Sequence, residues 1–249
     1  MQEKIRAQIH GLGDRILETN RLYCRPLIED DLPLIKGIYA DKVARIMLAH
    51  EPPQAGEEVM SLRRFMEAYR ENGLATYAIC KKNDQVAIGI AGFGCRDKDH
   101  PSELTIHYTL LADNRGKGYG IEVAKGLAGL AFNTLGATNL LAQTLSYNTD
   151  SQKLLGRLGM FPDGVQPSKN YKDEYCTVYS MTKGQYKEWA GLGINADRPP
   201  VHEKARNFFA LIEQDKKSAA PTEDMIKRAA NYRELCALEK SDFGRRFKY

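Results

Sequence analysis

The chain has 249 residues, more than one small domain needs, and its 43% hydrophobic and 27% charged residues describe an ordinary soluble globular protein. No apolar run approaches the ~20 residues of a membrane span, and the polar start Met1-Gln2-Glu3-Lys4 lacks a signal-peptide core. A net charge of +4 does not call for a nucleic-acid partner, and five scattered cysteines (Cys24, Cys80, Cys95, Cys176, Cys236) without a C-x-x-C pair argue for reduced thiols in a cytoplasmic setting and against a metal site.

In chain order, residues 1–17 read as a short amphipathic helix and Leu22 to Leu27 as a strand. Asp30 or Asp31 is placed to cap a helix with Pro33 in its first turn. A polar connector around Glu51-Pro52-Pro53 precedes a second helix, where Val59, Leu62, Phe65, Met66 and Tyr69 fall at helical spacing and Asn72-Gly73 ends the run. Ala75 to Cys80 and Gln85 to Phe93 read as strands joined by the turn Lys81 to Asp84, and Glu103 to Leu110 as a third. A glycine-rich turn then opens into a helix, Ile121 to Thr134, followed by a strand from Asn139 to Ser146, a helix after Asn148, and a last strand from Tyr175 to Thr182. After about Trp189 the chain breaks at Gly191-Leu192-Gly193 and Asp197-Arg198-Pro199-Pro200. Two apolar stripes follow, over 201–214 and 221–239, and predict a helical hairpin. We therefore expect one domain over 1–190 and a helical extension over 191–249, packed on the domain or, in a homodimer, on a second subunit.

The turn Asn114-Arg115-Gly116-Lys117-Gly118-Tyr119-Gly120 carries the most information. Strand, glycine turn and helix together make an anion cradle. The first helical N–H groups lack internal partners and lie at the positive end of the macrodipole. Alternate glycines allow positive φ and remove the Cβ atoms that would hold a phosphate away. It is not a P-loop, because Tyr119-Gly120 stands where Lys-Ser/Thr is required, and no reading frame fits G-x-G-x-x-G.

Arg115-x-x-Gly118-x-Gly120 resembles the Q/R-x-x-G-x-G/A signature with which GNAT N-acetyltransferases grip the pyrophosphate of acetyl-CoA. Asn148-Thr149-Asp150-Ser151, running on through Leu158-Gly159-Met160-Phe161, resembles the second block of that family. Read as residues alone, this segment offers Thr149 and Gln152 as a capping box, a stripe of Leu154, Leu155 and Leu158, and Gly159 as a left-handed helix end. The opening Thr19-Asn20-Arg21-Leu22-Tyr23-Cys24-Arg25-Pro26 is similar to that of the ribosomal-protein-alanine type of acetyltransferase. The resemblance spans about residues 15–190. It implies an α/β (α+β) fold with a mixed, mostly antiparallel sheet of six or seven strands flanked by helices.

The resemblance also implies a site. Acetyl-CoA, as acyl-donor substrate and with no metal, would set its pyrophosphate on Arg115, Gly116, Lys117, Gly118, Tyr119 and Gly120. Its pantetheine arm would run beside Leu110 and Leu111, with Asn148 and Ser151 along it. A backbone N–H would polarise the thioester carbonyl. The incoming ammonium must lose a proton to a base. By alternation Glu103, Thr105, His107 and Thr109 share one face of their strand and Leu104, Ile106, Tyr108 and Leu110 the other, so Glu103 and His107 are the base candidates. Relatives often carry the acid where this chain has Thr105. They often protonate the leaving thiolate with a Tyr where this chain has Leu155, which leaves Ser146, Tyr147 or water. The expected acceptor is a protein N-terminal α-amine. A polyamine or aminoglycoside, or a non-catalytic acyl-CoA-binding role, is the alternative.

Overall fold

The computed structural model describes residues 2–47, 56–97, 99–168 and 175–191. The expected hairpin over 201–239, the connector at Glu51-Pro52-Pro53 and Cys236 lie outside these residues.

Helix α1 (Gln2–His10) buries Ile5 and Ile9 and ends at Gly11, short of the predicted residue 17. Strands β1 (Leu17–Glu18) and β2 (Leu22–Pro26) form a small antiparallel pair. Helix α2 (Leu32–Ala40) starts after Asp31, with Pro33 in its first turn as expected. The Asp31 side chain does not cap it. That carboxylate is buried and turned backward, accepting from Arg25 Nη1 and Nη2 at 2.7 and 2.8 Å and from the Ile28 N–H at 2.9 Å. A buried carboxylate bonds the strongest donor within reach, and here that is the guanidinium fork.

Helices α3 (Lys42–Met47) and α4 (Glu58–Asn72) follow, then β3 (Thr76–Lys81), β4 (Ala87–Cys95) and β5 (Glu103–Leu110). Helix α5 (Tyr119–Gly129) continues into one wide turn at Leu130–Thr134. Strand β6 (Asn139–Leu145), α6 (Thr149–Arg157), β7 (Phe161–Pro167), β8 (Tyr175–Thr182) and α7 (Lys183–Gly191) complete the described chain.

Among the described residues the strands form one sheet in the order β1-β2-β3-β4-β5-β6-β8-β7, eight strands where six or seven are expected. The additions are the two-residue β1 and the edge strand β7. Every pairing is antiparallel except β5 with β6.

Apolar residues fill both faces of the sheet. On one face Leu104, Ile106 and Leu110 of β5 pack with Val123, Leu127 and Phe132 of the α5 run and Leu155 of α6. On the other, Ile35 and Ile38 of α2 and Leu62 of α4 cover Ala78, Cys80 and Ile90. The alternation expected for β5 holds. Its even residues face α5 and α6, and its odd residues face the side of α2 and α4, where Thr109 pairs with Ile90 and His107 with Gly92.

Candidate active site

The site begins where β5 and β6 separate. Their parallel pairing comprises Glu103↔Asn139, Leu104↔Leu140 and Thr105↔Leu141, and goes no further, although both strands continue. The Leu111 N–H bonds Ile88 O and the Arg96 N–H bonds Glu103 O, so odd residues of β5 direct their backbone toward β4. The Thr138 N–H bonds Ser102 O, on the β6 side. Alternation therefore turns the backbone groups of Ile106 and Tyr108, and the N–H of Leu110, into the gap that β6 leaves. An extended chain lying there would find a ready strand edge.

At the end of this gap sits the glycine turn. Gly116 and Gly118 take φ of 74° and 78°, left-handed values that glycine adopts without strain. Gly118 stands at the start of α5, and the first intrahelical bond is from the Glu122 N–H to Gly118 O at 3.2 Å. The N–H groups of Tyr119, Gly120 and Ile121 precede it and point out of the helix end. A Cβ on Gly120 would come within 3.0 Å of Leu154, so the start of α5 packs closely against the middle of α6.

The surroundings of the turn differ from expectation at Arg115. Its N–H is taken by Ala112 O, and its guanidinium is turned into the protein. Nε donates to Leu110 O at 3.1 Å, and Nη2 pairs with Asp41, which also accepts from the Val43 and Ala44 N–H groups at the start of α3. Arg115 thus fastens the turn to the α2–α3 corner. Leu110 lies beside Gly120, whereas Leu111 packs toward Gly37 of α2. Lys117 is exposed on the turn, and its carbonyl accepts from Arg21 Nη1 at 3.0 Å.

Arg21 and Glu122 are site-shaping residues that sequence patterns missed. Glu122 Oε1 accepts from Thr19 Oγ1 and from the Arg21 N–H, both at 2.7 Å, and Oε2 accepts from Arg21 Nε at 2.6 Å. The Arg21 guanidinium also lies over the Tyr119 ring at 4.5 Å. Burial alone would raise the Glu122 carboxyl, but the Thr19 hydroxyl and the Arg21 amide and guanidinium outweigh it and hold it below its ordinary value. A carboxylate with a lowered folded-state pKa contributes stability above its unfolded value, near 4.5, and loses it as pH falls through the folded value. Urea titrations from pH 7 to pH 3 should therefore show Glu122→Gln less stable at neutral pH and less steeply destabilised below pH 4.5 than the wild type.

The two base candidates stand apart. Glu103 lies at the closed end of the gap, paired with Asn139 in the sheet and with Arg96 Nη1 at 2.7 Å. His107 lies past the point of separation, exposed on the α2/α4 face, with Nε2 at 2.9 Å from Thr76 Oγ1. Asn148 caps α6, its side chain accepting from the Ser151 N–H at 3.1 Å. The expected Thr149–Gln152 capping box is absent, because Gln152 Nε2 donates to Ser146 O at 2.8 Å instead. The Ser146 hydroxyl is committed to Tyr175 O at 2.9 Å. The Ser151 hydroxyl faces Tyr108 OH at 3.5 Å. Among the described residues no cluster of His, Cys, Asp or Glu could hold a metal ion, and no helix is long and apolar enough to cross a membrane.

Comparison with known proteins agrees with this geometry. Residues 21–161, more than half of the chain, match the family described as acetyltransferase (GNAT) domain. The Bacillus subtilis (strain 168) protein described as uncharacterized N-acetyltransferase YoaA is 26% identical over 172 residues, covering 68% of this chain and 97% of its own length. A Vibrio cholerae structure provisionally described as a ribosomal-protein-serine acetyltransferase superposes with a TM-score of 0.56 at 17% identity, over 66% of this chain and 95% of its own. A spermidine N-acetyltransferase SpeG chimera from Vibrio cholerae and hSSAT does so with a TM-score of 0.57 at 14% identity, over 68% and 99%. At such identities the two structures establish the fold alone. The chain belongs to the GNAT acetyltransferase family and is an acyltransferase.

Proposed function

We propose that this enzyme moves an acetyl group from acetyl-CoA to a protein N-terminal α-amine by direct attack within a ternary complex. The observation that carries the donor half is the parting of β5 from β6 beside the glycine turn. The pantetheine arm pairs with the edge presented by Ile106, Tyr108 and Leu110, and the pyrophosphate rests on the open end of α5. The Gly116 to Gly120 backbone and Lys117 supply this seat, with Arg115 bracing it from behind. Asn148 and Ser151 line the far wall at the start of α6.

The acceptor amine approaches from the α2/α4 face, where His107 takes its proton. Glu103 is occupied by Arg96 and serves to hold the closed end of the gap. No group here needs to lower a lysine-like pKa, because an α-amine titrates near ~8 and is already partly neutral at physiological pH. Proximity then contributes most of the acceleration, both substrates being held in line in one groove.

The acceptor class is supported by the opening Thr19-Asn20-Arg21-Leu22 and by nothing in the fold itself, since neighbours of this fold are described as acting on ribosomal-protein serine and on spermidine. Thiol release from acetyl-CoA should be followed across peptides with free N-termini, N-blocked lysine peptides, polyamines and aminoglycosides. Release with free N-termini alone is the expected result. Release only with spermidine would replace the acceptor, and tight acetyl-CoA binding without release from any amine would remove the transfer reading.

A further inference from the structure

Acyl transfer from a thioester leaves a thiolate, and a thiolate in a gap between strands needs a hydrogen-bond donor. The family's usual position for one holds Leu155, a hydrocarbon side chain 1% exposed. One helical turn earlier on the same face is Ser151, and its hydroxyl faces that of Tyr108 across 3.5 Å. That distance is longer than the ~2.7–2.8 Å of a good O–H···O bond, so each hydroxyl retains capacity for a third partner.

Tyr108 lies on β5 just past the point where β6 departs, and its side chain leans toward α5 and α6. Continuing the parallel register by three residues sets Thr144 of β6 across from it. Thr144 is 3% exposed, and its Oγ1 has no hydrogen-bond partner. The Tyr108 and Ser151 hydroxyls, from β5 and the first turn of α6, therefore stand together beside the stretch of gap into which β5 turns its backbone. A helix N-terminus adds positive potential there.

We propose that the Tyr108 hydroxyl, backed by Ser151, is the donor that protonates the departing thiolate. This rests on the acetyl-CoA reading above. As the amine nitrogen bonds to the carbonyl carbon, the C–S bond breaks and sulfur takes its electron pair. Tyr108 donates its proton to that sulfur. The proton that the nitrogen sheds goes to His107 and on to solvent, and the phenolate recovers one from solvent through the Ser151 hydroxyl. Overall an amine and a thioester become an amide and a thiol. Burial pushes the Tyr108 phenol up to about 12, with Ser151 opposing, so the side chain is a protonated donor across the physiological range.

Tyr108→Phe removes only the hydroxyl, and its partner Ser151 loses a long contact. In single-turnover experiments with acetyl-CoA the variant should react about 30-fold more slowly, the scale of one hydrogen bond to a charged group, with unchanged acetyl-CoA affinity. The acetyl selenoester of the same cofactor supplies the second measurement. A selenolate leaves without needing a proton, so Tyr108→Phe should match the wild type with that donor. Equal slowing with both donors would mark Tyr108 as structural, and no slowing with acetyl-CoA would remove it from the reaction. A wild-type enzyme that acetylates no acceptor would instead overturn the transfer reading, a failure visible without the variant.

Discussion

Gly118→Glu is expected to weaken acetyl-CoA binding about 10³-fold, or ~4 kcal/mol, while the chain stays folded. The residue sits at φ 78°, where a side chain costs about 1–2 kcal/mol of backbone strain. A Cβ there would lie 3.3 Å from Arg21 Nη2. The new carboxylate would therefore fold onto that guanidinium and the open end of α5, and both attractions offset the strain. The same placement fills the phosphate seat with a fixed negative charge. Gly118→Ala adds the strain without the charge and should lose affinity only modestly. Gly136→Ala, at φ 73° with open space around it and away from the turn, should lose stability but no affinity. Calorimetric titration with acetyl-CoA, alongside thermal unfolding, separates the three. If Gly118→Glu binds acetyl-CoA as the wild type does, the turn is not the phosphate seat. A comparison with S-acetylpantetheine localises the loss, since a donor without phosphates should react equally with wild type and Gly118→Glu.

Much of this architecture is legible in the residues themselves, and the exceptions share a cause. Periodicity locates β5, the glycine turn and α5 because each answers to a local rule: alternation, positive φ, an apolar stripe. Strand β7 escapes because Pro162, Gly164 and Pro167 are strand-breaking signals. They are tolerated there because β7 is an edge strand paired on one side, with an irregularity between Pro162 and Gly164. The Arg115–Asp41 and Arg21–Glu122 pairs span 74 and 101 positions, beyond the reach of any local pattern. Capping residues misled for a related reason. Asp31 has the right type and position for a cap, yet Arg25 offers it two stronger bonds. Alternation assigns Tyr108 to the face of the strand it occupies, but only the arrival of α6 puts Ser151 beside it.

The proposed choice of His107 over Glu103 as base rests on the sheet. A base must reach the nitrogen as it attacks, so it must stand where β5 is free of β6 and not where the two are still bonded. His107 meets that condition, and its bond to Thr76 fixes the ring. With Nε2–H donating to Thr76, Nδ1 is the ring nitrogen that carries the lone pair. His107→Ala should lower kcat/KM about 10²- to 10³-fold, in the range of general-base losses. Glu103→Gln, which keeps a hydrogen bond to Arg96 possible, should cost less than about 5-fold, consistent with a partly exposed ion pair. The pH dependence distinguishes a base from a packing residue. In the wild type both the imidazole and the amine must be deprotonated, so log kcat/KM should rise with a slope of about two at low pH. In His107→Ala only the amine limb remains and the slope falls to about one. Because His107 is exposed, added imidazole should restore part of the lost rate in His107→Ala and none in Glu103→Gln. A steep two-proton limb surviving in His107→Ala, together with a large loss in Glu103→Gln, would transfer the role to the carboxylate at the closed end of the gap.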